Sequence, residues 1–276
     1  MALARVDWQD VSPHVREVIE SRTGPVRSAR TVSAGKHSAV ALLLDSSGGR
    51  VFVKGLRTDH VGIMTQAREA VIAPFVGAVS PRLLWWVEAD GWDLLGFEWI
   101  EGRHADYRPG SPDLPAVVEM MQRLGTITCP DLPEVKRPEK RWRKYVDDPA
   151  ELEMLTGSTL LHTDYNPANV LIDSSGTAHL IDWAWPTRGA AFIDPCVLVY
   201  RLIADGHTPA TAEAWVRDTP AWATALAEAI DVFARANARV WDELAAEAPE
   251  DRWKRKMSEV TREWAESRRG TARTSR

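Results

Sequence analysis

The sequence predicts an α+β fold in two parts, a small antiparallel five-stranded sheet followed by a larger, mainly helical region. Three observations carry that expectation. β-type runs crowd into residues 29–100 and are separated by strong turn chemistry, Asp45-Ser46-Ser47-Gly48-Gly49 and Ala89-Asp90-Gly91. From Leu114 onward apolar residues recur mostly at spacings of three and four, the helical period. Between the helical segments lies one compact stretch, residues 160–182, in which His162, Asp164, Asn169 and Asp182 are fenced by short apolar runs.

Residues 1–28 read as a lead-in helix, with Val11, Val15, Val18 and Ile19 at helical spacing and no chemistry of their own. Strands follow at 29–33, 39–44 and 50–54, then a helix at 59–72, then strands at 82–88 and 92–100; together they make a β-rich lobe over 29–100. Ser111, Pro112, Asp113 and Pro115 are helix-start signals, and Leu114, Val117, Val118, Met121 and Leu124 form one apolar stripe. Residues 129–138 are proline-rich and irregular. The basic run 136–145 is too short for a nucleic-acid patch and reads as a solvated helix face, with contact to an anionic substrate as the other reading. Asp194 before Pro195 opens a helix to Ala204, and further helices are expected at 210–217, 221–246 and 251–265. The helical region thus spans 101–267, and 268–276 reads as a basic disordered tail.

Composition excludes several classes of function. A chain of 276 residues with a net charge of -5 has no bulk electrostatic reason to bind nucleic acid or an anionic membrane. No run approaches the roughly 20 apolar residues needed to span a bilayer, and the first residues lack a basic segment followed by an apolar one, so a cytoplasmic protein is expected. Two cysteines, Cys129 and Cys196, lack metal-ligand spacing and read as buried thiols. The 13 tryptophans are scattered and read as packing residues.

Chemistry concentrates in 160–182. Val170 to Ile172 and Ala178 to Ile181 flank Asp173-Ser174-Ser175-Gly176, a hairpin signal. With the turn centred on Ser175 and Gly176, Asn169 begins one strand opposite Asp182 at the end of the other, roughly 5 Å apart. Asp164, five positions before Asn169, brings a third oxygen. Hard oxygens of this kind suit Mg²⁺ with bound phosphates. Upstream, Lys54 ends an apolar strand, and the turn 33–38, with Gly35 and Ser38, lets backbone amides approach phosphates.

The spacing of His162, Asp164, Asn169 and Asp182 matches the His-x-Asp-x-x-x-x-Asn loop of protein kinases, followed by the aspartate of the activation segment. The wording HTDYNPANVLID, then HLIDWAW, resembles more closely the aminoglycoside phosphotransferase branch of the kinase-like superfamily, where Asn-Pro-x-Asn-Val-Leu and Ile-Asp-Trp are typical. The resemblance runs over about residues 30–265. It implies a bilobal protein-kinase-like fold and a Mg²⁺-dependent transfer of the γ-phosphate of ATP or GTP to a hydroxyl of a small molecule. By the same resemblance Lys54, oriented by Glu69, holds the non-transferred phosphates, and Asn169 and Asp182 hold Mg²⁺. Asp164 receives or orients the acceptor hydroxyl's proton, His162 shapes the catalytic loop, and Asp194 steadies it. Glu98 and Ile100 supply a backbone carbonyl and amide to the nucleotide base.

Three departures from the pattern stand out. The turn 33–38 lacks Gly-x-Gly-x-x-Gly, Trp183-Ala184 replaces Phe-Gly, and Leu198 stands where the family commonly has a second aspartate. They keep a second class of reading open, a non-catalytic kinase-like nucleotide-binding or regulatory module. The implied partners are a nucleoside triphosphate and a hydroxylated small molecule. The basic segment before the catalytic loop and the short region 145–160 favour a metabolite or other natural product at least as much as a polycationic antibiotic.

Overall fold

A computed structural model describes residues 3–33, 35 and 38–274 of the chain. The chain divides into two compact units, Met1–Arg103 with His179–Ala184, and His104–Ala178 with Trp185–Arg276.

In the first unit a short 3-10 turn precedes α1 (Pro13–Thr23). Ser12 Oγ accepts the Val15 N–H at 3.2 Å and Pro13 occupies the first turn, which together cap the start of the helix. β1 (Val26–Thr31), β2 (Val40–Ser46), β3 (Gly49–Arg57), α2 (Ile63–Ile72), β4 (Leu83–Ala89) and β5 (Trp92–Glu98) follow. The sheet has five strands in the order β1-β2-β3-β5-β4, every neighbouring pair antiparallel, as the sequence predicts.

Strand alternation gives the sheet two different faces. Val40, Leu42, Leu44, Val51, Val53 and Leu94 meet Val11, Val15 and Ile19 in one core, so α1 is an integral layer of this unit rather than a lead-in. Phe52 joins Ala70 of α2 with Leu95 and Phe97 in a second cluster. β3 runs three residues past its expected end because Gly55, Leu56 and Arg57 pair with Leu94, Asp93 and Trp92. β5 stops at Glu98, short of the expected Ile100. Gly96 of β5 lies under the Trp85 ring, where a Cβ would come within 2.1 Å of the indole. β6 (Gly102–His104) closes the segment.

The second unit begins with α3 (Leu114–Gly125), which buries Leu114, Val117, Met120, Met121 and Leu124. The basic run is broken: α4 (Pro138–Arg141) is a single turn, a 3-10 turn Arg143–Tyr145 follows, and Trp142 between them is buried. After α5 (Pro149–Glu153) come β7 (Thr159–Leu161), β8 (Val170–Asp173) and β9 (Ala178–Leu180), the last carrying the chain back to the first unit. The β8–β9 turn is built by Asp173, whose Oδ1 accepts from the Ser175 and Thr177 amides at 2.8 and 3.0 Å. β10 (Thr187–Gly189) pairs antiparallel with β7.

The helices α6 (Ile193–Ala204), α7 (Pro209–Val216), α8 (Pro220–Ala223), α9 (Ala227–Glu247) and α10 (Arg252–Thr274) complete the unit. Every residue of α6 is buried. The single helix expected over 221–246 is interrupted, with Thr219 capping the short α8 through the Trp222 amide and α9 starting at Ala227. The tail expected to be disordered from Arg268 is instead the end of α10, helical through Thr274. Its anchor is Arg268, whose guanidinium pairs with Glu213 at 2.7 Å and Asp231 at 2.6 Å. Residues 275–276 lie outside the described residues. Cys129 and Cys196 are buried free thiols, and among the described residues no helix is long and apolar enough to cross a membrane.

Candidate active site

The sheet unit carries one cluster of charge. Lys54 follows Phe52 on the α2-covered face of β3, and its Nζ donates to Glu69 Oε2 of α2 at 2.6 Å and to Asp182 Oδ1 at 2.8 Å. The side chains of Lys54, Glu69 and Asp182 are 14, 7 and 30 % exposed, which separates this triad from a solvated surface pair. Burial opposes the charge on Lys54, but Asp182 and Glu69 outweigh it and hold the ammonium well above its ordinary pKa. Burial pushes the Glu69 carboxyl up, against the pull of Lys54 and with the charge of Asp182 adding to the rise. One ammonium between two carboxylates leaves the cluster one negative charge in excess, and Asp182 is its most exposed member.

Asp182 adopts a φ of 67°, a left-handed conformation that aspartate tolerates better than most residues. The backbone around it is pinned: Leu180 N donates to Val79 O at 2.7 Å, and Trp183 Nε1 donates to Ser80 Oγ at 2.9 Å. The turn 33–38 is described only at Ser33, Gly35 and Ser38; Ala34, Lys36 and His37 lie outside the described residues. Gly35 has a φ of 83°, and Arg5, which the sequence did not single out, donates to its carbonyl at 2.8 Å and to that of Ser38. Glu98 closes β5, with its amide on Arg82 O at 2.9 Å, and Ile100 follows beyond the strand.

In the helical unit the loop after β7 is held from within the core. Asp194 of α6 accepts the His162 and Thr163 amides, both at 2.9 Å, and the Tyr165 hydroxyl at 3.4 Å. Burial pushes its carboxyl up to about 6, against those hydrogen bonds and the charge of Arg141. Thr163 stands at a φ of 66°, costly for a β-branched residue, and the two bonds to Asp194 over-determine it. Arg141 donates to Thr163 Oγ1 and, at 2.8 Å, to Thr187 Oγ1, so the basic run contributes a loop anchor where a solvated face was expected. His162 is buried and its Nδ1 accepts the Asp164 amide at 3.2 Å, which puts the proton of the neutral ring on Nε2.

Asp164 is gripped through both carboxylate oxygens. Arg201 Nη2 donates to Oδ1 at 2.6 Å, while Asn169 Nδ2 donates to Oδ2 at 3.1 Å and to the Asp164 carbonyl at 3.2 Å. The amide nitrogen of Asn169 is thereby turned to Asp164, leaving the amide oxygen as its acceptor. Asp194 and Arg201 are seven residues apart in α6, about two turns, so one face of a buried helix holds both the start of the loop and its aspartate. Leu198, fully buried between them, is a core residue of that face. The hairpin turn differs in register from the one expected, which was centred on Ser175 and Gly176. Asp173 N bonds Thr177 O, which centres the turn on Ser175, and β8 begins at Val170 while β9 ends at Leu180. Sequence reasoning also missed Arg201 and Arg141; a lone arginine inside the apolar run 197–204 was the available signal for the first.

Among the described residues no group of three or more His, Cys, Asp and Glu side chains could hold a metal. The first unit offers one carboxylate, Asp182, and the second one amide oxygen, that of Asn169. Each is the kind of hard oxygen that suits Mg²⁺, an ion that keeps most of its waters and reaches a protein through one or two ligands.

No family model and no curated protein sequence matches the chain. Solved structures do. Choline kinase LicA from Streptococcus pneumoniae aligns with a TM-score of 0.62 and 13 % identity, over 92 % of this chain and 99 % of the other. An aminoglycoside phosphotransferase from Alicyclobacillus acidocaldarius aligns at 0.59 and 15 % identity over 98 and 100 %. Spectinomycin phosphotransferase in its AMP-bound complex aligns at 0.60 and 9 % identity over 90 and 93 %. The chain therefore has the kinase-like fold shared by choline kinase and the aminoglycoside phosphotransferases.

Proposed function

We propose that the protein is a Mg²⁺-dependent small-molecule kinase that moves the γ-phosphate of ATP or GTP to a hydroxyl group. The observation that carries this reading is the buried Lys54–Glu69–Asp182 triad, a fixed ammonium beside a carboxylate with negative charge in excess. Phosphoryl transfer asks a protein for positioning and charge compensation more than for covalent chemistry. Lys54, held by Glu69, binds the non-transferred phosphates. Asp182 of the first unit and Asn169 of the second would each offer an oxygen to Mg²⁺, and the ion would supply compensation for the charge of the phosphates. Asp164 receives the proton of the acceptor hydroxyl as its oxygen bonds to the γ-phosphorus and the bond to the nucleoside diphosphate breaks. His162 and Asp194 keep the loop in shape for it. Two structurally similar phosphotransferases were solved with a nucleotide and a small molecule together, one with ADP and hygromycin B and one with ADP and spectinomycin, which supports a nucleotide and a small-molecule acceptor here.

The second reading, a nucleotide-binding module without turnover, draws on Trp183, whose indole is tied to Ser80 where the protein kinases have the Phe of Phe-Gly. One experiment separates the two. ADP release from Mg·ATP is followed for wild type and Asp164→Ala across aminoglycosides, nucleosides, polyols and amino alcohols, with thermal stabilisation by Mg·ATP measured in parallel. Acceptor-stimulated turnover that falls at least about 100-fold in Asp164→Ala, with nucleotide stabilisation kept, is the expected result. Stabilisation without any turnover supports the binding module, and loss of stabilisation in Asp182→Ala checks the metal assignment.

A further inference from the structure

Arg201 is a buried charge with an unusual set of neighbours. Its guanidinium carbon lies 5.5, 5.6 and 5.3 Å from the ring centroids of Tyr200, Trp241 and Trp253, within cation–π range of all three. Nη1 approaches Met257 Sδ at 3.6 Å, and Nη2 makes the 2.6 Å bond to Asp164. The residue is 4 % exposed and Tyr107, nearby, only 1 %. Arg201 Nε and the Tyr107 hydroxyl are both buried without a hydrogen-bond partner in the protein. Burial pushes the Tyr107 hydroxyl's pKa up, and the charges of Arg201, Asp205 and Asp164 all act on it, so these groups share one neighbourhood of the helical unit.

A box of aromatic faces beside a carboxylate is the chemistry that captures quaternary ammonium groups. In this chain the box already holds a cation, and the carboxylate already has its counter-charge. We propose that Arg201 is a resident cation that positions Asp164 and fills the cation site beside it, so that the acceptor is an uncharged or anionic hydroxyl compound. A second positive charge there would meet like charge at short range and find no unneutralised carboxylate on Asp164. Arg201 is a positioning residue in this account, because it touches Asp164 and not the reacting atoms. The inference rests on the kinase reading for the word acceptor; the occupied box is tested by binding alone.

The experiment compares choline with its uncharged isostere, 3,3-dimethylbutan-1-ol, binding to the full chain by calorimetry and by tryptophan fluorescence. Wild type, Arg201→Ala, Arg201→Met and Arg201→Lys are used, each checked for fold by circular dichroism. Wild type and Arg201→Lys are expected to hold choline no tighter than the isostere. Arg201→Ala and Arg201→Met, with the box vacated, are expected to gain at least tenfold in choline affinity, with a fluorescence change from Trp241 and Trp253. Tighter binding of choline than of the isostere by wild type overturns the proposal, as does a folded Arg201→Ala or Arg201→Met that takes up no cation. Should the neutral variants fail to fold, the wild-type and Arg201→Lys preference decides the matter by itself. A wild type that ignores Mg·ATP sinks the kinase reading and leaves this binding result standing.

Discussion

Replacing Lys54 with methionine keeps most of the side-chain volume and removes only the charge between Glu69 and Asp182. Two carboxylates are then left facing each other, one of them 7 % exposed. Breaking a buried pair by removing one partner costs about 3–5 kcal/mol. Asp182 is 30 % exposed and partly screened by water, so the lower end, about 3 kcal/mol, is expected at pH 8. With a urea slope of about 2 kcal/mol per molar, the midpoint falls by about 1.5 M. The loss should depend on pH in a definite direction. Glu69 already sits above its ordinary 4.5 in the wild type, and losing Lys54 removes the main force pulling it down. The folded variant therefore takes up a proton that the unfolded chain does not hold at the same pH, and it gains stability as pH falls from 8 toward 5. The Lys54 contribution does not vary over that window, since its raised pKa lies above it. Urea unfolding at pH 5 and pH 8 measures both terms. Adding Glu69→Gln to Lys54→Met should recover a good part of the loss, because the second buried charge is then gone. A cost below about 1 kcal/mol that is the same at both pH values would falsify the triad as a buried charge network and return it to the class of surface pairs.

Two further outcomes test the scaffold. Asp194 is pushed from 3.8 up to about 6 by burial, so the folded state binds its proton more tightly and the group's contribution to stability falls as pH rises from 3.8 through 6. Asp194→Asn lacks that titration; the variant's deficit against wild type should shrink by up to about 3 kcal/mol between pH 4 and pH 7, and a deficit that grows or stays constant contradicts the assignment. Gly96→Ala drives a methyl to within 2.1 Å of the Trp85 indole and should cost about 1–3 kcal/mol by thermal or urea unfolding, with partial recovery on adding Trp85→Leu; a change within about 0.5 kcal/mol would show that the ring yields freely.

What could be read from the sequence follows a physical line. Turn chemistry is local, so the sheet's hairpins were legible at Ser46 to Gly49 and at Asp90 and Gly91. Strand ends were not, because Gly55 to Arg57 are kept in β3 by Leu94, Asp93 and Trp92 of another strand. An amphipathic helix announces that it packs but not against what, and α1 was therefore read as a lead-in although Val15 and Ile19 help close the core of the sheet. At the site, the motif spacing marked Asp164, Asn169 and Asp182, the family resemblance added Lys54 with Glu69, and those two do pair directly. The partner of Asp164 escaped because Arg201 is 37 residues away and only the packing of α6 brings them together. Arg141 was taken for a solvated cation for the complementary reason: burial of Trp142 beside it turns the chain, and no periodicity in a basic run records that.

The grip of α6 on the loop after β7 has a consequence for how this protein can change. Asp194 and Arg201 place the loop's first amides and the Asp164 carboxylate by reference to a helix with no solvent-facing residue. The loop thus inherits the stiffness of the interior. Substitutions at Val197, Leu198 or Val199 would move both grips together. A single-residue insertion between the two grips would swing Arg201 about 100° around the helix and release the aspartate altogether. The coupling reaches one layer further, because Trp241 of α9 and Trp253 of α10 lie against the Arg201 guanidinium, and exchanging either ring would disturb the cation that holds Asp164.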